Sequence, residues 1–192
     1  MIRFFTVAGG GRLSSCVGGC LWLLEELNRP YEIVEIDIPK GQHKSTSFLA
    51  LNPNGKIPCL SDDSFVIWES VAINYYLAGK YKPELLGSNL KERGLIDQWI
   101  LWSVSELQPS INAIFTNAMK SPEERDRTLM QACKYKILQH TVLVDKYLKD
   151  KKFLVAEKFT LADLHLSSYM HIHSTLHTEL SNYHFFKRWY LT

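Results

Sequence analysis

Strand signals stop near residue 82, and this change of pattern limits the chain more than any other feature. Before it, short apolar runs with β-branched residues are separated by turn-forming residues. Beyond it, apolar residues recur only every three or four positions. Leu95, Trp99 and Trp102 keep helical spacing, and Leu129, Cys133, Ile137, Val144 and Leu148 mark a second, longer helix. The expected organisation is therefore an α/β unit over 1–81, a linker over 82–89 containing Pro83, and an all-helical unit over 90–192. Around residues 100–104 apolar side chains occupy nearly every face, so that segment is either the centre of a core or also meets a ligand or partner.

Within the first half, 2–7 reads as a strand and 8–13 as a glycine-rich loop. A helix follows with Leu21, Trp22, Leu24 and Leu27 on its apolar face, ended by Asn28, Arg29 and Pro30. A strand is predicted over 31–38, then a polar loop over 39–46 and a short helical turn over 48–51. Strands over 57–60 and 65–68 are joined by Ser61-Asp62-Asp63-Ser64, and a helix over 70–81 carries Ile73, Tyr76 and Leu77 on one side. The order βαβ then ββα predicts a thioredoxin-like domain with a mixed four-stranded sheet, followed by the helical domain.

Composition excludes several classes. Lys and Arg total 22 against 20 Asp and Glu, scattered along the 192 residues, so no basic stripe is available for nucleic acid. No apolar stretch approaches the ~20 residues of a membrane helix, and neither nucleic acid nor a membrane is an expected partner. Cys16, Cys20, Cys59 and Cys133 lack zinc-type spacing, so no metal is expected. The first apolar run, interrupted by Arg3, is short for a signal peptide, and the expectation is a reducing, cytoplasmic location. The Cys16/Cys20 spacing is CxxxC, not the CxxC of thiol oxidoreductases, and reads as two independent small residues near a helix start, with a redox pair or a Cys16-centred thiol reductase as the alternatives.

Four pieces carry chemistry when taken together. Ser14-Ser15-Cys16 precedes a helix start containing Gly18 and Gly19, where free N–H groups and the helix dipole favour an anion such as a thiolate. Ile57-Pro58, opening a strand after Asn52-Pro53-Asn54-Gly55-Lys56, suits a cis bond that leaves backbone groups free to pair with an extended peptide. Glu69-Ser70, at a strand-to-helix junction, suits an α-amino-acid head group, the carboxylate on the helix start and the ammonium on Glu69. His43, Lys44 and Lys56 can neutralise a carboxylate at the far end. Each piece alone is equally a helix cap, a turn or solvated loop charge. Together they describe a site for a small peptide with a zwitterionic head, a central thiol and a carboxylate tail, which is the layout of glutathione.

At this point the sequence resembles the soluble glutathione transferases over essentially its whole length. The stretch 21–27 with Pro30-Tyr31-Glu32 is similar to bacterial members, and 41–58 is similar to the corresponding loop of both bacterial and plant phi-class enzymes. Residues 65–73 match the segment that grips the γ-glutamyl group, and 153–163 resembles the family's hydrophobic staple and capping box, with Thr160 and Asp163 in a structural role. The resemblance implies that His43 and Lys44, with Lys56 nearby, hold the glycyl carboxylate. It implies also that the Ile57 backbone pairs with the cysteinyl part before Pro58, and that Glu69 and Ser70 bind the γ-glutamyl end. Counting back from Tyr31-Glu32 places the catalytic hydroxyl at Ser14 by phi, tau and theta-like members and at Ser15 by several bacterial ones. Trp102, Ile114 and Phe115 are expected in the wall of a pocket for a small hydrophobic electrophile. The implied protein is a homodimeric detoxification transferase with glutathione as co-substrate. The alternative is a non-catalytic interaction module of the elongation-factor-gamma or synthetase-complex type. Two departures from the pattern, a loop at 9–13 about five residues longer than in typical relatives and Gly18-Gly19 in the helix start, fall at the activation site. Family members usually continue beyond 187–192, so a closing segment of the second domain is expected to be missing.

Overall fold

The computed structural model describes residues 1–8 and 15–192, with Ser15 described by its backbone alone. The loop expected over 8–13 and the candidate Ser14 therefore lie almost wholly outside the described residues, as does the Ser15 side chain. The described chain divides into two compact units, Met1–Leu86 and Gly87–Thr192.

The first unit begins with β1 (Ile2–Val7), α1 (Ser15–Glu26) and β2 (Tyr31–Ile36). A 3-10 turn (Gln42–Lys44) and α2 (Thr46–Leu49) follow, then β3 (Cys59–Asp62), β4 (Phe65–Trp68) and α3 (Ser70–Tyr81). The sheet order is β2-β1-β3-β4, with β1 parallel to β2 and antiparallel to β3, and β3 antiparallel to β4. This is the mixed four-stranded sheet of a thioredoxin-like domain. Strand alternation divides its core. Phe5, Ile36 and Cys59 pack with Phe48 of α2 on one face, while Phe4 and Leu60, fully buried, point to the other. There α1 packs against α3, which presents Ser70, Ile73, Asn74, Leu77 and Ala78 as one continuous stripe.

Several local readings need correction. Trp22 is 38% exposed and donates to Glu26, while Val17, Cys20, Leu21, Leu23 and Leu24 form the buried face of α1. The strand expected from residue 57 starts at Cys59, because Pro58 has no N–H to contribute to the ladder, and it runs on through Asp62. The turn is consequently tighter than the four residues predicted, with Asp63 at φ 53 and Asp62 paired opposite Phe65. Tyr76 lies at the border of α3, against Phe65 at 4.8 Å, and donates to Asp62. Asp62 also accepts from Lys80 and from the Tyr81 hydroxyl, pinning the hairpin to α3. Part of the stretch read as a linker is a 3-10 turn (Pro83–Leu86) whose Leu85 and Leu86 are buried in the first unit.

The second unit is helical: α4 (Leu90–Trp102), α5 (Gln108–Ala118), α6 (Arg127–Tyr147), α7 (Leu161–Met170), α8 (Ile172–Thr175) and α9 (His184–Tyr190). A π-turn (Ser103–Leu107) joins α4 to α5. Pro109 has no N–H and its ring crowds the preceding turn, which widens the ladder so that the Gln108 N–H reaches back to Ser103. In the 100–104 stretch Ile100 and Ser103 are buried but Leu101 is 64% exposed, so the all-round apolar pattern is not a buried cylinder. Buried on nearly every side, α7 is the centre of this unit, and α4 packs on it. Its start is fixed by Asp163, which accepts from the Thr160 N–H and hydroxyl (both 3.0 Å), the Leu154 N–H (2.8 Å) and the Trp189 indole (2.8 Å). Thr160 and Asp163 thus form a capping box. Among the described residues no helix is long and apolar enough to cross a membrane.

Candidate functional site

The hairpin register decides which backbone segments meet. Cys59 pairs with Trp68 as the last β3–β4 rung, so Pro58 and Glu69 are the first residues beyond that rung on their two strands. On the other side Phe5 pairs with Cys59, and β1 continues past the start of β3 to Val7. The end of β1, the start of β3 and the end of β4 therefore share one end of the sheet. There α3 also begins, and α1 is tied to it by the Cys20 thiol, which donates to the Ser70 carbonyl at 3.5 Å.

The peptide bond Ile57–Pro58 is cis. Ile57 packs its side chain on the Phe5–Phe48 cluster. Glu69 sits at φ 71, ψ 118, a conformation that L-residues rarely adopt. The cause is topological: β4 ends at Trp68 and α3 begins at Ser70, so a single residue makes the whole change from strand to helix. Its carbonyl accepts the Ile73 N–H at 2.9 Å, while the residue stays exposed and Ser70 is buried.

His43 and Lys44 occupy the 3-10 turn. The Lys44 ammonium reaches the Asn54 carbonyl at 3.4 Å. Gly55 has φ 59, and a Cβ on it would come within 2.7 Å of the His43 carbonyl oxygen, so glycine is what lets the two loops touch. Asn52 organises the second loop: its amide donates to the Lys56 carbonyl at 2.7 Å and its oxygen accepts the Asn54 N–H at 3.0 Å. Lys56 itself is exposed. Three cationic or titratable side chains thus stand just before Ile57, and a carboxylate with a helix start stands just beyond the last rung on the other strand. An extended backbone edge with opposite charges at its two ends can hold a zwitterionic peptide.

Ser14 is outside the described residues, and Ser15 contributes its backbone to the first turn of α1. Cys59, next to Pro58, is buried, which pushes its thiol up to about 11 and makes it a poor nucleophile. Cys20 is raised too, by burial and then by the neighbouring Cys16. In the second unit Ile114 is only 3% exposed, a core position unsuited to a pocket wall, while Trp102 and Phe115 are half-buried. Trp102 packs edge-on against Trp99 (5.4 Å) and His140 (5.1 Å). The described residues contain no cluster of His, Cys, Asp and Glu able to hold a metal ion. Sequence reasoning missed Asn52, although Asn-Pro-Asn-Gly is strong turn chemistry. The contacts of Cys20 with Ser70 and of Trp189 with Asp163 have no local signal.

Comparison with known proteins follows the same division. Residues 10–79 match the family model "Glutathione S-transferase, N-terminal domain", and 107–192 match "Glutathione S-transferase, C-terminal domain". The chain is 40% identical over 114 residues to a probable glutathione S-transferase GSTF2 of Oryza sativa subsp. japonica, covering 59% of this chain and 53% of that protein. The chain spans about half the length of the curated relatives it matches. Similarity of fold extends further. A structure of glutathione S-transferase-I bound with lactoylglutathione has a TM-score of 0.87 at 28% identity, covering 99% of this chain and 92% of that one. Glutathione transferase F7 from Populus trichocarpa has a TM-score of 0.86 at 27% identity, covering 100% and 92%. With both domain models of one family matched along well over half of its length, the chain belongs to the glutathione S-transferase family.

Proposed function

We propose that this protein is a glutathione transferase that binds glutathione at the open end of the sheet, stabilises its thiolate and conjugates it to a small hydrophobic electrophile. The observation that supports this reading is the last β3–β4 rung, Cys59 with Trp68, from which Ile57-Pro58 and Glu69-Ser70 lead off on the two strands. An extended tripeptide lying along Ile57 pairs its cysteinyl backbone there. Its γ-glutamyl ammonium meets Glu69, and its α-carboxylate meets Ser70 and the positive end of the twelve-residue α3. The glycyl carboxylate points to His43, Lys44 and Lys56. Solved relatives that carry lactoylglutathione or oxidized glutathione support this ligand class.

With both ends held, the sulfur falls toward the start of α1. The helix dipole and a hydroxyl from Ser14 or Ser15 stabilise the thiolate and draw the thiol pKa below its usual ~8.5. The proton leaves to water, and the preorganised sulfur anion attacks the electrophile without reorganisation of its surroundings. The electrophile is held by apolar groups of the helical unit, for which Trp102 and Phe115 are the candidates. A homodimer belongs to the same reading. Four reduced cysteines suit a cytoplasmic detoxification role.

Calorimetry with glutathione on the wild type and on Glu69→Ala tests the reading. Binding to the wild type that is weakened in the variant supports it. No binding to either protein transfers the chain to the non-catalytic interaction class. Ser14→Ala and Ser15→Ala, compared for the pH dependence of conjugation, identify the hydroxyl. Unchanged profiles in both leave backbone amides as the activator.

A further inference from the structure

Cys16 and Cys20 lie one helical turn apart on α1, and the turn between them is Val17-Gly18-Gly19. We infer that these two cysteines are a dithiol–disulfide pair, a redox modification site that closes against the disulfide form of glutathione and releases the contact between Cys20 and Ser70. The proposal goes beyond conjugation and requires only thiol–disulfide exchange.

Geometry permits the bond. Positions i and i+4 of an α-helix have Cα atoms about 6.2 Å apart, inside the roughly 4.4–6.8 Å span of disulfides. Their Cβ atoms, about 5–6 Å apart in a regular helix, must approach by about 1–2 Å. The two intervening glycines supply that adjustment, since neither carries a side chain to resist it. Val17, fully buried, holds the turn to the core while it tightens. Cys16 is half-buried and reachable, whereas Cys20 is completely buried.

Exchange proceeds in two steps. The Cys16 thiolate attacks one sulfur of glutathione disulfide, whose S–S bond breaks and expels one glutathione thiolate. The Cys20 sulfur then attacks Cys16 and displaces the second glutathione, and the Cys20 proton passes to a departing thiolate. Two protein thiols and one glutathione disulfide become one protein disulfide and two molecules of glutathione. In the reduced protein Cys20 donates to the Ser70 carbonyl. The oxidised sulfur has no proton to donate, so oxidation is felt at the start of α3, where the γ-glutamyl end is proposed to bind.

The test equilibrates the full chain in glutathione redox buffers of rising disulfide content, blocks remaining thiols with an alkylating agent and maps tryptic peptides by mass. Residues 13–40 form one such peptide, with Cys16 and Cys20 as its two cysteines. The expected product is this peptide unalkylated and two hydrogens lighter than the dithiol. Cys20→Ser is expected to stop at a glutathione adduct on Cys16. Gly18→Ala, which stiffens the turn, is expected to raise the disulfide content needed for half-closure by about fivefold. Full alkylation of both cysteines at every poise, a stable Cys16 adduct in the wild type, or a cross-link between chains would each overturn the proposal. It would stand or fall on the wild-type peptide even if a variant failed to fold, and whether or not the protein proves to be a transferase.

Discussion

Replacing Glu69 by glycine is expected to make the protein more stable and worse at binding glutathione. At φ 71, ψ 118 this residue carries a side chain in a region natural for glycine. Such backbone costs of order 1–3 kcal/mol. Glycine removes that cost, while the freer unfolded chain takes back about 0.4–1 kcal/mol. The net expectation is a gain of about 1 kcal/mol, or about 2–4 °C in Tm for a chain of this size. Glu69→Ala relieves no strain and is expected to leave Tm within about 1 °C. Both variants lose the carboxylate proposed to meet the ligand ammonium, a charge-assisted contact worth about 1.5–3 kcal/mol, so Kd should rise by roughly one to two decades. Scanning calorimetry gives Tm, and titration calorimetry gives Kd. A glycine variant less stable than the wild type would refute the strain argument. One that binds glutathione as the wild type does would refute the role of the carboxylate.

Acid is expected to destabilise the helical unit through its buried histidines. Burial depresses His165 and His173 to about 4 from an ordinary 6.5. The unfolded chain takes up protons that the folded one refuses, so the stability present above 6.5 is lost as pH falls toward 4. Between pH 7 and pH 5 the loss is about 2 kcal/mol for each histidine, read from urea midpoints. Asp163, whose carboxyl burial pushes upward despite four donors, works in the opposite direction at the acid end of this window. His165→Leu should remove roughly half of the histidine slope between pH 7 and 5, and an unaltered slope would contradict the assignment. Asp163→Ala leaves the Leu154 and Thr160 amides, the Thr160 hydroxyl and the Trp189 indole without their acceptor. A loss of about 3–5 kcal/mol in denaturant unfolding is expected. A loss below about 1 kcal/mol would mean that the box does not hold the start of α7.

What could be read before folding was the part encoded locally. Short apolar, β-branched runs at 2–7 and 65–68 and the spacing of Ile73 and Leu77 each report a neighbour one strand rung or one helical turn away. The apolar pattern starts the third strand too early, at Ile57, because it cannot distinguish a residue that packs from one that joins the ladder, and Ile57 packs without joining it. Hydrophobicity alone puts Trp22 on the buried face of α1, yet the buried face is made by Val17, Cys20, Leu21, Leu23 and Leu24, and the tryptophan falls beside it. The π-turn before Pro109 depends on how the α4–α5 ladder absorbs a missing donor, which no periodicity records. At the candidate site, residue types were legible. Their adjacency was not, because it follows from the β3–β4 register and from the one-residue switch at Glu69.

The central claim is that the protein lowers the thiol pKa of bound glutathione, and the ultraviolet absorbance of the thiolate measures this directly. Titrated from acid to alkali in the presence of saturating protein, glutathione is expected to ionise with a midpoint at least one unit below the ~8.5 of a free thiol. A midpoint unchanged when calorimetry shows the glutathione to be fully bound would contradict the account.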